Sequence, residues 1–147
     1  MNRIRIGEII APRFWFFSER EKLLCGPSRY HCWVADKPTT AHGIARSNNE
    51  GVYAFREKEQ IHDYIIKNRA RFQGLLQGVT LMGLSHLVIG TVRLWGCVIP
   101  AERGYRAQYG RVHSLDELFQ APDFEQVRTE GEALDRLRSK YGLGVKV

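Results

Sequence analysis

The chain has 147 residues, 44% hydrophobic and 26% charged, enough apolar material for one domain with its own core and too much for wholesale disorder. Its net charge of +6 favours acidic partners, nucleic acid foremost, without requiring one. Cys25, Cys32 and Cys97 form an odd set with no C-x-x-C spacing, which points to reduced thiols in a cytoplasmic protein over a disulfide framework.

Ile4 and Ile6 alternate with Arg3 and Arg5, the pattern of a half-exposed first strand, and MNRIRIGEII holds no apolar run of signal-peptide length. After Pro12, the segment RFWFFSE reads as an aromatic strand. Leu23 and Leu24 precede a Gly26-Pro27 turn, and Tyr30 to Ala35 forms a further strand. Residues 36–51 are rich in Lys, Pro, Thr, Ser, Asn and Gly without periodicity, so the longest loop falls there.

Val52 to Phe55 is a short strand leading into a helix, in which Ile61, Ile65, Phe72 and Leu76 make one apolar stripe and Gly74 and Gly78 mark the end. Phe72 to Val92 lacks Asp, Glu, Lys and Arg, but its Gln, Ser, His and Gly content is too polar for a membrane span. Val88 to Val112 then reads as two strands joined by a tight Ala101-Glu102-Arg103-Gly104 turn. Within it Val92, Leu94 and Val98 point one way, and Arg93, Trp95 and Cys97 the other. Tyr105, Ala107 and Tyr109 share a face by the same parity, which makes the tyrosines core and leaves Arg106 exposed. Ser114, with Glu117 three residues on, reads as a capping box that starts a short helix ending near Pro122. A last helix from about Phe124 carries Val127, Leu134, Leu137 and Tyr141 on one side, with Gly142 as its cap.

Strands, helix, strands, helices is the order of a single α+β domain over 1–147, with a curved antiparallel sheet or partial barrel and one central and one C-terminal helix. The order resembles that of PUA-like RNA- and base-binding barrels, a likeness of fold alone.

Few chemistries survive inspection. His31, Cys32, His42, His62, His86, Cys97 and His113 lack zinc spacing, and Glu59 with His62 has no second pair to complete a di-metal site. No cysteine has a catalytic signature around it, and there is no Walker loop, G-x-G-x-x-G, G-x-S-x-G or H-E-x-x-H. Glu8, Glu50 and Glu102 have the composition for acid–base work but nothing in their spacing distinguishes them from solvated turn residues. Binding without catalysis, cofactor or metal is therefore the expectation.

Arginine interleaved with aromatics is the one positive signal. Trp33, Tyr53, Trp95, Tyr105 and Tyr109 lie on predicted strands, with Arg93, Arg103, Arg106 and Arg111 among them. Such a surface stacks on splayed bases while its arginines hold phosphates, although strand aromatics more often fill cores. The expected contact residues are Arg93, Trp95, Arg103, Arg106, Arg111 and Trp33, with RNA or DNA as the partner. The alternative is a phage or mobile-element protein that binds and inhibits a host protein through the same surface.

The segments GVYAFR, GTVRLWGCVI and ERGYRAQY, in that order, resemble a family of small uncharacterised bacterial and phage proteins with Gly-Ile-Tyr-Ala, Trp-Gly-x-Val and Glu-Arg-Gly-Tyr-Arg-Ala-x-Tyr segments. The resemblance loosely spans residues 5 to about 115. Many such proteins have a Cys-rich loop before the first segment, whereas TTAHGIARSNNE has no cysteine. The resemblance implies that the three segments belong together and implies no activity.

Overall fold

A pair of very long strands, β7 (Leu84–Pro100) and β8 (Gly104–Gln120), organises the molecule. They are paired antiparallel almost end to end in a computed structural model that describes residues 5–26, 32–35, 37–40, 52–77, 84–120 and 123–143. The outer edge of β7 takes β1 (Arg5–Ile6) and β2 (Ile9–Ser18), and β2 continues to β3 (Leu23–Cys25) and β4 (Cys32–Trp33). The outer edge of β8 takes β6 (Val52–Phe55), β5 (Thr39–Thr40) and β9 (Asp123–Arg128) in turn. The segments 52–55, 90–99 and 104–109 thus lie side by side as β6, β7 and β8.

The β7–β8 register shifts at Ile89/Gly90, Thr91/Val92 and Trp95/Val98. Each irregularity adds twist and bends the ladder. The sheet curls as a result, because strands from opposite ends of its order meet on one face. Trp33 of β4, Trp15 of β2, Val92 and Val98 of β7, Ala107 of β8 and Val52 of β6 form a single buried cluster. The α+β curved sheet expected from the sequence is what the structure contains, open and not closed into a barrel.

At the seam, β2 and β6 approach each other without sharing a ladder. The Arg13 side chain bridges the gap by donating from Nη1 to the Tyr53 carbonyl. Its guanidinium lies 4.6 Å from the Trp33 ring centroid and 5.7 Å from that of Trp15. Burial pushes its pKa down from the ordinary guanidinium value to about 9. Below pH 9 the group is charged both folded and unfolded, so its desolvation cost does not vary with pH across the neutral range.

Helices cover both faces. On the convex side, α1 (Lys58–Lys67) and α2 (Arg69–Gln77) bury Ile61, Ile65, Phe72 and Leu76 against Phe14, Phe16, Leu87, Ile89 and Phe119. The predicted stripe is as expected, but the helix is broken at Asn68, whose side chain donates to the Tyr64 carbonyl at 2.8 Å. Glu57 starts α1, its N–H donating to Gln60 Oε1 at 2.8 Å. On the concave side, α3 (Glu132–Lys140) inserts Leu134 and Leu137 into the tryptophan cluster, joined by Tyr141 just past its end. The buried Arg138 donates from Nε to the Leu115 carbonyl at 2.8 Å. The Tyr141 hydroxyl accepts from Leu24 N–H at 2.8 Å and donates to the Trp33 carbonyl at 2.6 Å, pinning β3 and β4 to α3 at once.

Two predicted elements are corrected. The segment after Ser114 is strand, not helix: β8 runs on to Gln120, with Leu115 and Leu118 in the concave core and Phe119 in the convex one. The Ser114 hydroxyl bonds Thr91 Oγ1 (2.6 Å) and Asp116 Oδ2 (3.1 Å) across and along the sheet instead of capping a turn. Pairing on both edges of β8 outweighs the local capping signal. The segment 123–128 is β9, antiparallel to β8 with Val127 opposite Phe119, so the last helix starts only at Glu132. Gly131, at φ 128°, sets that boundary with backbone that other residues rarely adopt. In the predicted loop, Thr39–Thr40 pairs with β8; residues 41–51 lie outside the described residues, as do Ile4, Tyr30, His31 and Gly78. No described helix is long and apolar enough to cross a membrane.

Tyr141→Phe leaves the buried Leu24 N–H and Trp33 carbonyl without that partner and is expected to lower stability by about 2 kcal/mol in urea unfolding. Arg13→Lys keeps the charge but loses the planar stack on Trp33, and by the same measurement is expected to cost about 1–2 kcal/mol.

Candidate nucleic-acid interface

The convex face is divided along its length. α1 and α2 occupy the end built from Phe14, Phe16, Leu87, Ile89 and Phe119. At the boundary the nearly buried Glu117 meets α1, with Oε2 3.1 Å from His62 Nε2 and 3.6 Å from Lys58 Nζ. Beyond that boundary, the rows across the sheet turn polar and exposed.

Ile10, Arg93 and Arg111 form one such row, each directly opposite the next on β2, β7 and β8. All three are exposed. Arg93 Nε lies 3.0 Å from Glu8 Oε1 in an ion pair open to solvent, which contributes little to stability. Arg111 has no ion pair among the described residues. Like charges directly opposite in a ladder repel, so this row is no device for holding the sheet together.

The next row is Trp95 and Tyr109, opposite each other and stacked with ring centroids 5.7 Å apart and planes at 28°. Both are partly buried. Two residues along each strand from the arginines, they complete a two-by-two block of cations and aromatics.

Tyr109 reaches that block by a break in alternation. Ala107 and Gly110 both face the concave core, Ala107 opposite Val52 and Gly110 against Val52 and Trp33. Tyr109 therefore leaves the face of Tyr105, correcting the expectation that 105, 107 and 109 share one. Tyr105 packs on the concave cluster as predicted. The irregularity is the one between Trp95 and Val98, and it is built on Gly96 at φ 81°. A Cβ there would lie 2.8 Å from both Gln108 Oε1 and the Tyr109 ring. Gln108 Oε1 in turn accepts from the Cys97 N–H at 3.4 Å.

The other predicted contact residues are placed differently. Arg103 is exposed in the 101–104 turn. Arg56, which the sequence reading did not single out, braces that turn by donating to the Ala101 carbonyl (3.0 Å) and packing over Tyr105 at 5.6 Å. Burial raises the Tyr53 phenol, and the charges of Arg103 and Arg56 oppose that rise. Arg106, expected to be exposed, is only 5% exposed: Ile99 and Tyr53 flank it on the two neighbouring strands. Trp33 is 2% exposed and serves as the floor for Arg13. Arg93, Trp95 and Arg111 are thus brought together, Arg103 stands apart at the hairpin tip, and Arg106 and Trp33 present no surface.

Among the described residues no three His, Cys, Asp or Glu side chains converge on a metal-sized site. What the exposed block offers chemically is two guanidinium groups for oxyanions beside an aromatic pair for flat, apolar faces.

Gly96→Ala forces a side chain into the Gln108–Tyr109 contact at positive φ. It is expected to cost about 1–3 kcal/mol in denaturant unfolding and to change the near-ultraviolet circular dichroism of Trp95 and Tyr109. No protein-family model, curated protein or solved structure matches this chain.

Proposed function

We propose that this protein is a non-catalytic binder of single-stranded nucleic acid, acting in a cytoplasmic setting through the exposed end of its convex face. Arg93 and Arg111 hold phosphates, and Trp95 with Tyr109 offers the stacking surface for a base. The observation that carries this reading is the pairing of two arginines in direct register beside a stacked Trp–Tyr pair. Such a row costs the sheet some stability, and a polyanion lying across it offsets the repulsion. The overall charge of +6 acts in the same direction at longer range. A PUA-like relationship fits the curled sheet and belongs to the same proposal.

A specific observation favours a second reading. Ile10, 49% exposed, extends the arginine row with an apolar side chain. An apolar residue beside Trp and Arg is the make-up of a protein-interface hot spot, the surface a phage or mobile-element inhibitor of a host protein would use.

Fluorescence anisotropy with labelled single-stranded RNA and DNA at increasing salt separates the two. Nucleic-acid binding is expected to give a linear fall of log K with log salt, and Arg93→Ala and Arg111→Ala are each expected to reduce that slope by about 0.7. Trp95→Ala is expected to weaken binding by about 1–3 kcal/mol with the fold retained. Absence of binding at low salt, or binding indifferent to both arginine substitutions, sinks the proposal.

A further inference from the structure

Two of the three cysteines face each other across a sheet edge. Cys25 of β3 is directly opposite Cys32 of β4, and their Sγ atoms are 3.6 Å apart in a thiol–thiol hydrogen bond. Residues opposed in an antiparallel pair have Cα atoms about 4.5 or 5.5 Å apart, and both values fall inside the span a disulfide bridges. Cys97, on β7 opposite Ile6, has no thiol neighbour among the described residues.

We propose that Cys25 and Cys32 are the site of a reversible intrachain disulfide that locks the β3–β4 hairpin. The hairpin's ladder is two residue pairs long, Leu24 with Trp33 and Cys25 with Cys32. Tyr141, just past α3, holds the first pair, and among the described residues only the thiol–thiol contact spans the side chains of the second. The same hairpin carries Trp33, on which Arg13 rests at the seam of the curl.

The two thiols differ in the way a stepwise oxidation requires. Cys32 is half-buried and reachable, whereas Cys25 is fully buried. Burial first, and then the hydrogen bond and charge of Cys32, push the Cys25 thiol up to about 12. The Cys32 thiolate is therefore the group that attacks a small-molecule disulfide such as oxidised glutathione. One glutathione leaves as its thiolate and the other stays on Cys32 Sγ as a mixed disulfide. The Cys25 thiolate attacks Cys32 Sγ, forms the Cys25–Cys32 bond and expels the second glutathione. The two thiol protons end on the two glutathiones released, so the protein loses two electrons and two protons and one glutathione disulfide is reduced. Under reducing cellular conditions the bond reverses, as expected of a redox-sensing pair and not of a structural staple.

The test uses the full chain with Cys97→Ser to remove the third thiol, equilibrated with oxidised glutathione. Trypsin cuts after Arg29, between the two cysteines, and next after Arg46, because Lys37 precedes Pro38, so the cross-link leaves peptides 23–29 and 30–46 joined at a mass lower by two hydrogen atoms. The thermal midpoint is expected to rise by roughly 5 °C and to return on adding dithiothreitol. Cys32→Ser, at the half-buried position, is expected to fold normally and to show neither the joined peptides nor the shift. Persistent mixed disulfide on Cys32, thiols that stay unmodified, or cross-links between chains would overturn the proposal.

Discussion

Pairing of two 17-residue strands over nearly their whole length is the constraint on which the other elements depend. A flat hairpin of that length would twist away from itself and leave both faces open. The irregularities along β7 and β8 bend it instead, and the bend brings β4 and β6, from opposite ends of the sheet order, into one cluster around Trp15 and Trp33. Leu87, Val88 and Ile89 are buried on both sides of the sheet in consequence, which is why that stretch is continuously apolar.

Where the ladder cannot reach, side chains complete the structure. Arg13 spans the seam between β2 and β6, Tyr141 joins both strands of the β3–β4 hairpin to the last helix, and Arg138 ties that helix to β8. All three make hydrogen bonds to main-chain groups. Each does so at the cost of burying polar or charged groups. For Arg13 that cost is offset by two indole faces, an environment that suits a weakly hydrated guanidinium better than an ammonium.

The division of the convex face follows from the same geometry. The helices pack where the sheet presents Phe14, Phe16, Leu87 and Phe119 and stop where it presents Arg93 and Arg111. Past that boundary the opposed arginines do not stabilise the ladder, and no described helix covers them. Glu117, held between Lys58 and His62, marks the line between the packed half and the exposed half.

Much of this was legible in the residues themselves. Period-two alternation placed Val92, Leu94 and Val98 inside and Arg93 and Trp95 outside, and 3.6-residue spacing placed Ile61, Ile65, Phe72 and Leu76 on one helical stripe, because both patterns follow from local backbone geometry. Other features depended on partners distant in the chain. Strand edges on both sides of β8 turned a capped helix start at Ser114 into strand, and β6 and β7 together covered Arg106. One irregularity moved Tyr109 from the core face to the side of Trp95, though Gly96 was the local sign of it. Alternation can be read from one strand alone; register, and with it the meeting of Arg93 with Arg111 or Cys25 with Cys32, exists only when two strands pair.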